Sequence, residues 1–381
     1  MRILFIVQGE GRGHLTQAIT MEQMLRANGH EVVEVLVGKS QQRRIPDFFR
    51  REIHAPIYTF ESPNFLPTAI NKRSKLPRSV AYNLTKIPSF LKSILFIIKH
   101  VKTSNVDLVV NFYELLTGLT WFIARPQVPL VSVGHQYLFL HPEFEFPKVN
   151  SVPLFFLRFW TRLTSIGSQC QLALSFRRMD DVPELGLKVV PPLIRRDVLR
   201  CKPTRGNYIL GYILNSGFSE EVIRWHKKHP EIELHFFWDK KGAPEITHID
   251  PTLSFHQIDD NAFLREFANC GAYATTAGFE SVCEGLYMQK PILLVPAHIE
   301  QDCNAHDASL SGAGVVSREF NLDKLASFSS SYRPDPQFQD WERMSSQRIT
   351  SAIELAASQP IEHHLSVFSL LPVRLVAWLE G

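Results

Sequence analysis

The sequence predicts an α/β protein that contains two doubly wound parallel sheets. Residues 2–37 have the pattern of a strand, a helix and a second strand, which is the repeating unit of such sheets. The same alternation starts again after a stretch rich in Arg and Pro that ends at residue 206. With 381 residues, the chain is also long enough to form two domains with cores of their own.

The first half opens on an apolar strand, followed by a glycine-rich loop and an amphipathic helix that ends at Asn28 and Gly29. Uninterrupted apolar runs, typical of strands buried on both faces, then recur along the chain. We predict strands at 2–7, 31–37, 108–112, 130–133, 172–176 and 188–190, and helices at 14–27 and 115–123. Right-handed crossovers would join these strands into one parallel sheet that ends before Pro191.

The second half has the same predicted architecture without repeating the sequence. We predict strands at 208–214, 233–238, 253–257, 272–274 and 292–295, helices at 219–228, 262–269, 279–288 and 301–311, and further helical structure at 317–359 with an interruption at 327–336. The predicted organisation is an N-terminal domain at 1–192, a linker at 193–206, a C-terminal domain at 207–359, and a last helix at 360–381 that packs back on the first domain.

Composition and charge exclude several classes of protein. The apolar fraction of 45% and the charged fraction of 21% are those of a folded globular chain. A net charge of +3, without an arginine-rich tract, argues against nucleic acid as a partner. The five cysteines are scattered, so neither a disulfide framework nor a zinc site is predicted. Because no signal-peptide pattern and no apolar run of about 18 residues occur, we expect a cytoplasmic protein.

The loop QGEGRGHLTQ, residues 8–17, follows the first strand at the edge where open α/β sheets bind ligands. Its glycines allow a ligand or a facing backbone to come close. The dinucleotide fingerprint is incomplete, because its third glycine would fall at His14, so a dehydrogenase is not favoured. An imidazole at a helix N-terminus is kept neutral and can take a proton from an alcohol. His14 is therefore a candidate general base, and a simple tight turn is the alternative.

A second loop, TTAGFESVCEGLYMQKPILLVPAHIEQDCNA at 275–305, resembles the donor-binding segment of glycosyltransferases with the GT-B fold. Plant sugar transferases have T-H-C-G-W-N-S-x-x-E where this chain has Thr275 to Glu284. The bacterial N-acetylglucosaminyltransferase that forms lipid II has a similar segment and a similar Gly-Gly-His turn near its N-terminus. The two clusters occur in the family's order. The resemblance implies two Rossmann-like domains that face each other across a cleft.

The resemblance also implies an activity: transfer of a sugar from a nucleotide diphosphate donor, for which we expect a UDP-sugar, to an acceptor hydroxyl. His14 would remove the hydroxyl proton, and a single displacement would invert the anomeric carbon, with retention as the alternative. Gly278 and Ser281 open a helix whose N–H groups and dipole can hold the diphosphate across the cleft from His14. No metal ion and no other cofactor is therefore expected.

The resemblance further assigns donor contacts residue by residue. Glu284 corresponds to the ribose-binding carboxylate, and the pair Glu300 and Gln301 to the residues that hold the sugar. In HQIDDNAFL, the backbone of Ile258 would pair with the uracil edge. The other positions that align with donor contacts are Gly13, Thr276 and Phe279.

The chain departs from the family pattern at two positions in the second loop. Thr276 stands where many relatives have a His that contacts the diphosphate, and Glu280 stands where plant enzymes often have Asn. A carboxylate at 280 would repel phosphate unless it turned away. In the neighbouring loop we predict that Asp259 caps the following helix and that Asp260 lies in its first turn, with no ligand role.

The acceptor side is predicted from two further segments. GHQYLFLHPEF follows a strand end, so His135 and Gln136 are expected to face the cleft. No acidic residue lies between Glu61 and Asp107, and basic residues alternate there with apolar ones, as in segments that lie on anionic membranes. These basic residues are Lys72, Arg73, Lys75, Arg78, Lys86, Lys92, Lys99 and Lys102. An ordinary half-buried helix is the alternative.

Membrane contact, which the aromatic stretch 155–160 would extend, favours a lipid-linked acceptor such as a cell-envelope glycan precursor. The protein would then lie at the inner face of the membrane as a peripheral partner. Two other functions remain open. One is a nucleotide-sugar epimerase of the same fold, and the other is a protein that binds nucleotide sugars without turnover.

Overall fold

The computed structural model describes residues 1–63, 83–213 and 215–361. In its first part, seven strands form one sheet: β1 Arg2–Gln8, β2 Glu31–Lys39, β3 Ile57–Glu61, β4 Leu108–Phe112, β5 Leu130–Gly134, β6 Cys170–Leu174 and β7 Leu187–Val190. The helices around it are α1 Arg12–Ala27, α2 Asp47–Glu52, α3 Ile87–Thr103, α4 Leu115–Ala124 and α5 Ser151–Thr164. All neighbouring strands are parallel, in the order β3-β2-β1-β4-β5-β6-β7. We call this sheet and its helices the first lobe.

After the short helix α6 Arg196–Arg200, seven strands form a second sheet: β8 Ile209–Ile213, β9 Leu234–Trp238, β10 Ile246–Asp250, β11 Leu253–Gln257, β12 Ala272–Thr275, β13 Ile292–Leu294 and β14 Gly314–Val316. Its helices are α7 Ser219–His226, α8 Asp260–Asn269, α9 Phe279–Tyr287, α10 Ile299–Leu310, α11 Leu322–Ser331 and α12 Gln337–Glu342. The order is β10-β11-β9-β8-β12-β13-β14, and β10 pairs with β11 in the antiparallel sense. This sheet and its helices form the second lobe.

The two sheets have the same winding. Without the edge strands β7 and β10, each sheet follows the 3-2-1-4-5-6 order of doubly wound folds. The order reverses between β1 and β4 in the first lobe, and between β8 and β12 in the second. Helix α1 starts after β1 and helix α9 starts after β12, so both helices begin at the carboxyl end of a strand beside the reversal. These are the positions where ligands bind in such sheets.

The apolar residues that form the central strands explain this architecture. Ile3 to Val7 on β1 and Leu108 to Val110 on β4 are fully buried, as expected for strands covered by helices on both faces. One hydrophobic core runs through both lobes, and the ring of Phe176 in the first lobe lies 4.7 Å from that of Phe279 in the second. Within the described residues, no helix combines the length and the apolarity that crossing a bilayer requires.

The last described helix, α13 Ser345–Ser358, follows the second lobe in sequence but packs on the first. It contacts α1 and the strands β5, β6 and β7. The chain therefore returns to the first lobe within residues 345–358, whereas we expected this return at 360–381. Of that predicted segment, residues 362–381 lie outside the described residues.

Candidate active site between the two lobes

The site is built on two helix starts that lack a capping side chain. Helix α1 begins after Gly11 and α9 begins after Gly278, and neither N-cap makes a side-chain hydrogen bond. An uncapped helix start leaves backbone N–H groups free to bind an anion. Ala277, just before Gly278, is fully buried and has a φ of +61°. A left-handed alanine is a strained conformation of the kind that clusters at functional sites.

His14 is the third residue of α1 and is 9% exposed. Its Nδ1 lies 3.1 Å from Oε1 of Gln17, its Nε2 lies 3.4 Å from Nε2 of Gln136, and its ring stacks on Tyr113 with centroids 5.6 Å apart. Burial lowers the pKa of His14 below 6.5, although the carboxylate of Glu280 acts in the opposite direction. The imidazole is therefore neutral near pH 7, which is the state that a general base needs.

The predicted acceptor-side residues lie in a 3₁₀ segment, His135–Leu140, directly after β5. His135 Nε2 is 3.0 Å and Gln136 Nε2 is 3.2 Å from the same oxygen, Oε1 of Glu300 in the second lobe. Burial acts to raise the pKa of Glu300, but the hydrogen bond from His135 and the nearby imidazoles outweigh it and lower that pKa to about 2. The structure thus brings His135 and Gln136 to the cleft, next to His14.

The predicted donor loop surrounds the start of α9. Ser281 Oγ donates to the carbonyl of Gly278 at 3.0 Å and lies 3.3 Å from Thr275 Oγ1, so the hydroxyl stabilises the turn. Thr276 is buried in the same turn. The ring of Phe279 stacks on that of His135, with centroids 4.5 Å apart, so its side chain belongs to the contact between the lobes.

Three of the residues predicted to contact the donor, Glu284, Glu300 and Gln301, already form hydrogen bonds with protein groups. The carboxylate of Glu284 accepts two hydrogen bonds from Arg195, at 2.6 and 3.0 Å, and this charge pair raises the pKa of Arg195. Gln301 accepts from the backbone N–H of Ala297 at 2.9 Å, while Glu300 faces the first lobe. Glu300 and Gln301 therefore do not act on one common group in this structure.

Two aspartates in the loop after β11, Asp259 and Asp260, lie where we predicted them at the start of α8. Asp259 accepts from the backbone N–H of Ala262 at 2.7 Å and caps α8, which confirms the N-cap prediction. Asp260 lies in the first turn of α8, as predicted, and also accepts from Arg12 at 2.7 and 3.0 Å across the cleft. Ile258 precedes them and packs against the core. The contact of its backbone with the base stays a prediction.

Sequence reasoning missed three residues of the site. Gln17 is 1% exposed, and only its place one helical turn after His14 signals it. Tyr113 follows β4 with a φ of +57°, and Arg195 lies in the stretch rich in Arg and Pro; no local pattern marks either. A small cleft with about 220 Å³ of empty space, part of it open to solvent, is lined from both sides by Gln17, Leu193, Glu280, Cys283 and Glu284, among others.

The lobes are held together around this cleft by charged pairs. They are Arg12 with Asp260 and Arg177 with Asp307, and the hydrogen bond between His135 and Glu300 adds to them. In the part of the chain that the structure describes, no three His, Cys, Asp or Glu side chains are grouped to hold a metal ion.

Comparison with known proteins places these features in context. A family model described as glycosyl transferase family 1 matches residues 1–332. A search of curated proteins by sequence finds no match.

Solved structures are similar over nearly the whole chain at low sequence identity. The glycotransferase of kitacinnamycin is 15% identical, with a TM-score of 0.62, and the match covers 93% of this chain and 99% of that chain. Arabidopsis thaliana UGT89C1 complexed with quercetin is 14% identical, with a TM-score of 0.60 and the same coverage. The spinosyn rhamnosyltransferase SpnG complexed with thymidine diphosphate is 14% identical, with a TM-score of 0.54, and the match covers 100% of both chains.

Proposed function

Since this chain belongs to glycosyl transferase family 1, we propose that it moves a sugar from a UDP-sugar to an acceptor hydroxyl, without a metal ion and with inversion. It is a glycosyltransferase with the GT-B fold, and its two lobes face each other across the cleft. One observation carries the proposal. Glu280, in the first turn of α9, lies against Gly13, the residue before His14, so the base and the uncapped start of α9 face each other.

The chemistry follows from this arrangement. Nε2 of His14 takes the proton of the acceptor hydroxyl, and the oxygen forms a bond to the anomeric carbon. The bond from that carbon to the diphosphate breaks, and its electron pair leaves with the nucleotide. The N–H groups and the dipole at the start of α9, around Gly278, stabilise the departing charge. A single displacement of this kind inverts the anomeric carbon.

The donor class is supported by structures of similar fold. Phytolacca americana UGT2 is complexed with UDP-2fluoro-glucose, and Arabidopsis thaliana UGT89C1 with UDP-L-rhamnose. SpnG is complexed with thymidine diphosphate, so the choice of base needs a direct test. We propose a UDP-sugar as the donor for this chain because its loop after β11 resembles the segment that binds uracil in the family.

A thermal-shift titration in EDTA tests the donor. UDP and UDP-sugars should raise the melting temperature, because a ligand at a hundredfold excess over Kd stabilises by about 2.7 kcal/mol. TDP and GDP are the comparison ligands. Stabilisation by none of these nucleotides contradicts the proposal, and stabilisation that needs added magnesium contradicts metal independence. An altered sugar nucleotide formed without acceptor would indicate an epimerase.

We further propose that the acceptor is lipid-linked and that the first lobe docks on an anionic membrane. Helices α3, α4 and α5 pack side by side. The apolar side chains exposed on α3 and α5 form what we call the docking face: Ile87, Leu91, Leu95, Val152, Phe155 and Phe156. Lys92, Lys99 and Lys102 are exposed on α3, and neither helix carries an acidic residue. Such a surface suits an anionic bilayer.

The docking face lies close to the base. Helix α5 packs against the 3₁₀ segment that carries His135, and Thr161 of α5 shares a 2.8 Å hydrogen bond with the hydroxyl of Tyr113, which stacks on His14. A lipid-linked acceptor held at this face would therefore reach the cleft from the membrane side. Of the basic residues predicted for this surface, Lys72, Arg73, Lys75 and Arg78 lie outside the described residues, and Lys86 pairs with Glu61 at 3.0 Å.

Vesicle sedimentation tests the docking face. The protein should sediment with phosphatidylglycerol-containing vesicles and stay in solution with pure phosphatidylcholine. The double variant Leu91→Asp, Phe155→Asp should lose this binding. Leu355→Asp is the matched control, because Leu355 is 52% exposed on α13, away from the docking face. Equal binding by the double variant and the control, or no binding by the wild type, contradicts membrane docking and favours a small soluble acceptor.

A further inference from the structure

Gln17 stands between the imidazole of His14 and a carboxylate of the opposite lobe. Its Oε1 is 3.1 Å from Nδ1 of His14, and its Nε2 is 2.5 Å from Oε1 of Glu280. Gln17 and His14 are both buried, which shields the hydrogen bond between them from water, whereas Glu280 lines the cleft. We call this hydrogen-bonded chain of His14, Gln17 and Glu280 the relay.

The relay determines which nitrogen of His14 carries a hydrogen. An ionised carboxylate can only accept hydrogen bonds, so the amide nitrogen of Gln17 must face Glu280 and the amide oxygen must face His14. That oxygen is an acceptor, so Nδ1 of His14 must carry the hydrogen. Nε2 is then the nitrogen with the free electron pair. Gln136 agrees with this assignment, because its amide nitrogen, a donor, lies 3.4 Å from Nε2.

The relay also spans the cleft. Gln17 belongs to α1 of the first lobe and Glu280 to α9 of the second. The carboxylate lies so close to Gly13 that a Cβ there would be 2.6 Å from Cδ of Glu280, which leaves no room for a side chain. If the lobes separated, Gln17 would lose its partner, its amide could turn over, and His14 could take the other tautomer.

We propose that Glu280 is a positioning residue for the transfer reaction: through Gln17 it fixes the tautomer in which Nε2 of His14 accepts the proton of the acceptor. The base is thus held in its reactive tautomer only while the two lobes are in contact, which couples efficient proton removal to closure of the cleft. This inference rests on the proposed role of His14 as the base. It also accounts for a carboxylate beside a diphosphate site, because Glu280 is turned toward α1.

The variant Glu280→Gln tests the relay. Its amide can present either atom to Gln17, so the tautomer of His14 is no longer fixed. We expect kcat to fall on the order of tenfold, less than the 10²- to 10⁴-fold that a general base contributes. The KM for the UDP-sugar should stay within about twofold, because a positioning role makes no donor contact.

The pH profile gives a second readout of the same variant. The groups that act on His14 are Glu280 from α9, Glu300 from α10, and His135 and Tyr113 from the first lobe. Of these, Glu280 and, to a smaller extent, Glu300 raise the pKa of His14, so Glu280→Gln should move the acid limb of kcat/KM to lower pH.

Exchange of the two side chains provides a rescue. In the double variant Gln17→Glu, Glu280→Gln, the carboxylate lies next to the imidazole and accepts from Nδ1–H, so the same tautomer is restored. We expect kcat to recover to within about threefold of the wild type, with the acid limb moved to higher pH because a carboxylate now touches His14. A role of Glu280 that is merely structural predicts neither the recovery nor this shift.

Two control variants distinguish the relay from a general loosening of the contact between the lobes. Asp260→Asn removes another carboxylate that joins the lobes, and it should leave kcat unchanged. Gly13→Ala keeps the glutamate at position 280, but the added methyl group displaces its carboxylate. This variant should therefore lower kcat as Glu280→Gln does. Thermal unfolding of each variant checks that it folds.

The inference is overturned if Glu280→Gln and Gly13→Ala both keep kcat within twofold. It is also overturned if Glu280→Gln raises the donor KM with kcat intact, or if the double variant shows no recovery. Failure of the proposed role of His14 as the base would look different. In that case His14→Ala itself retains turnover, whereas failure of the relay alone leaves His14→Ala inactive.

Discussion

The starts of α1 and α9 have the same backbone setting and different surroundings. Both follow a strand beside the reversal of the sheet order, and both have a glycine N-cap without a capping side chain. At α1, the carboxylate of Glu280 fills the space against Gly13. At α9, a Cβ on Gly278 would meet nothing nearer than Ser281 Oγ, at 3.7 Å. The two N-caps are similarly open, since a Cβ on Gly11 would meet nothing nearer than Gly13 N, at 4.0 Å. The two starts therefore differ in the carboxylate that lies against the first turn of α1.

The first turns of the two helices also differ in the ionisable side chains that they carry. The first turn of α1 has no acidic residue and carries His14, which burial keeps neutral. The first turn of α9 carries Glu280, which reaches across the cleft toward α1. In the proposed function, the side chains of these first turns assign the proton to the start of α1 and the diphosphate to the start of α9.

The largest effect is expected at α1. His14→Ala should lower kcat by about 10²- to 10⁴-fold, because it removes the general base, while the affinity for UDP stays within about twofold. Steady-state transfer assays and UDP titration measure the two quantities. His306→Ala, on α10 but not among the groups that act on His14, is the matched control. Turnover within threefold of the wild type in His14→Ala would place the base elsewhere.

The next effect is expected at α9. Gly278 has a φ of −66° and open space around a Cβ, so Asp and Asn fit there. Either side chain caps a helix well, so neither variant should melt below the wild type. Only Gly278→Asp adds a negative charge where the diphosphate is proposed to bind, and it should weaken UDP binding on the order of tenfold relative to Gly278→Asn. Equal UDP affinities for both variants would show that the diphosphate does not bind at this helix start.

A smaller effect is expected on the pH profile of kcat/KM, which depends on the pKa of His14 at the start of α1. Since the pKa of His14 is lowered below 6.5 and the base acts when neutral, kcat/KM should be flat near pH 7 and fall about tenfold per pH unit on an acid limb below pH 6.5. Gly11→Asp places a carboxylate at the start of α1, which raises the pKa of His14. The limb should then move to higher pH by less than about one unit. Gly11→Asn, which adds no charge, should leave it in place. If Gly11→Asp leaves the acid limb of kcat/KM at the same pH, His14 does not control that limb.

The smallest effect is expected at the rim of the cleft. Asp260 and Arg12 form a 2.7 Å ion pair, but their side chains are 39% and 30% exposed. An ion pair in that setting contributes about 0.2–1 kcal/mol, so Asp260→Asn should lower the free energy of unfolding by no more than about 1 kcal/mol. Denaturant unfolding at low and high salt measures the loss, which should shrink as salt rises. A larger loss of unfolding free energy that salt does not reduce would show that this ion pair stabilises the protein as much as the contacts inside the cleft do.

The sequence by itself determined the parts of the protein that depend on neighbours along the chain. The buried strands at 108–112 and 253–257 were predicted with their observed bounds, because continuous apolar runs leave few other places for those residues. The cap at Asp259 was predicted as well, because N-capping is local chemistry. The edge strands β3 and β10 were missed because most of their residues are not buried, and β14 was missed because it has only three residues. The glycine loops before His14 and after Ala277 pointed to the two helix starts.

Only the tertiary structure decided how those two starts work together. The contact of Gln17 with Glu280 joins residues 263 positions apart, and the pairing of Arg195 with Glu284 spans 89 positions. The return of α13 to the first lobe likewise brings together segments that are far apart in the sequence. Apolar periodicity sets which face of each element is buried, but it carries no information on which polar side chains meet once two lobes close. That pairing depends on how the lobes pack, and packing is fixed by many contacts acting together.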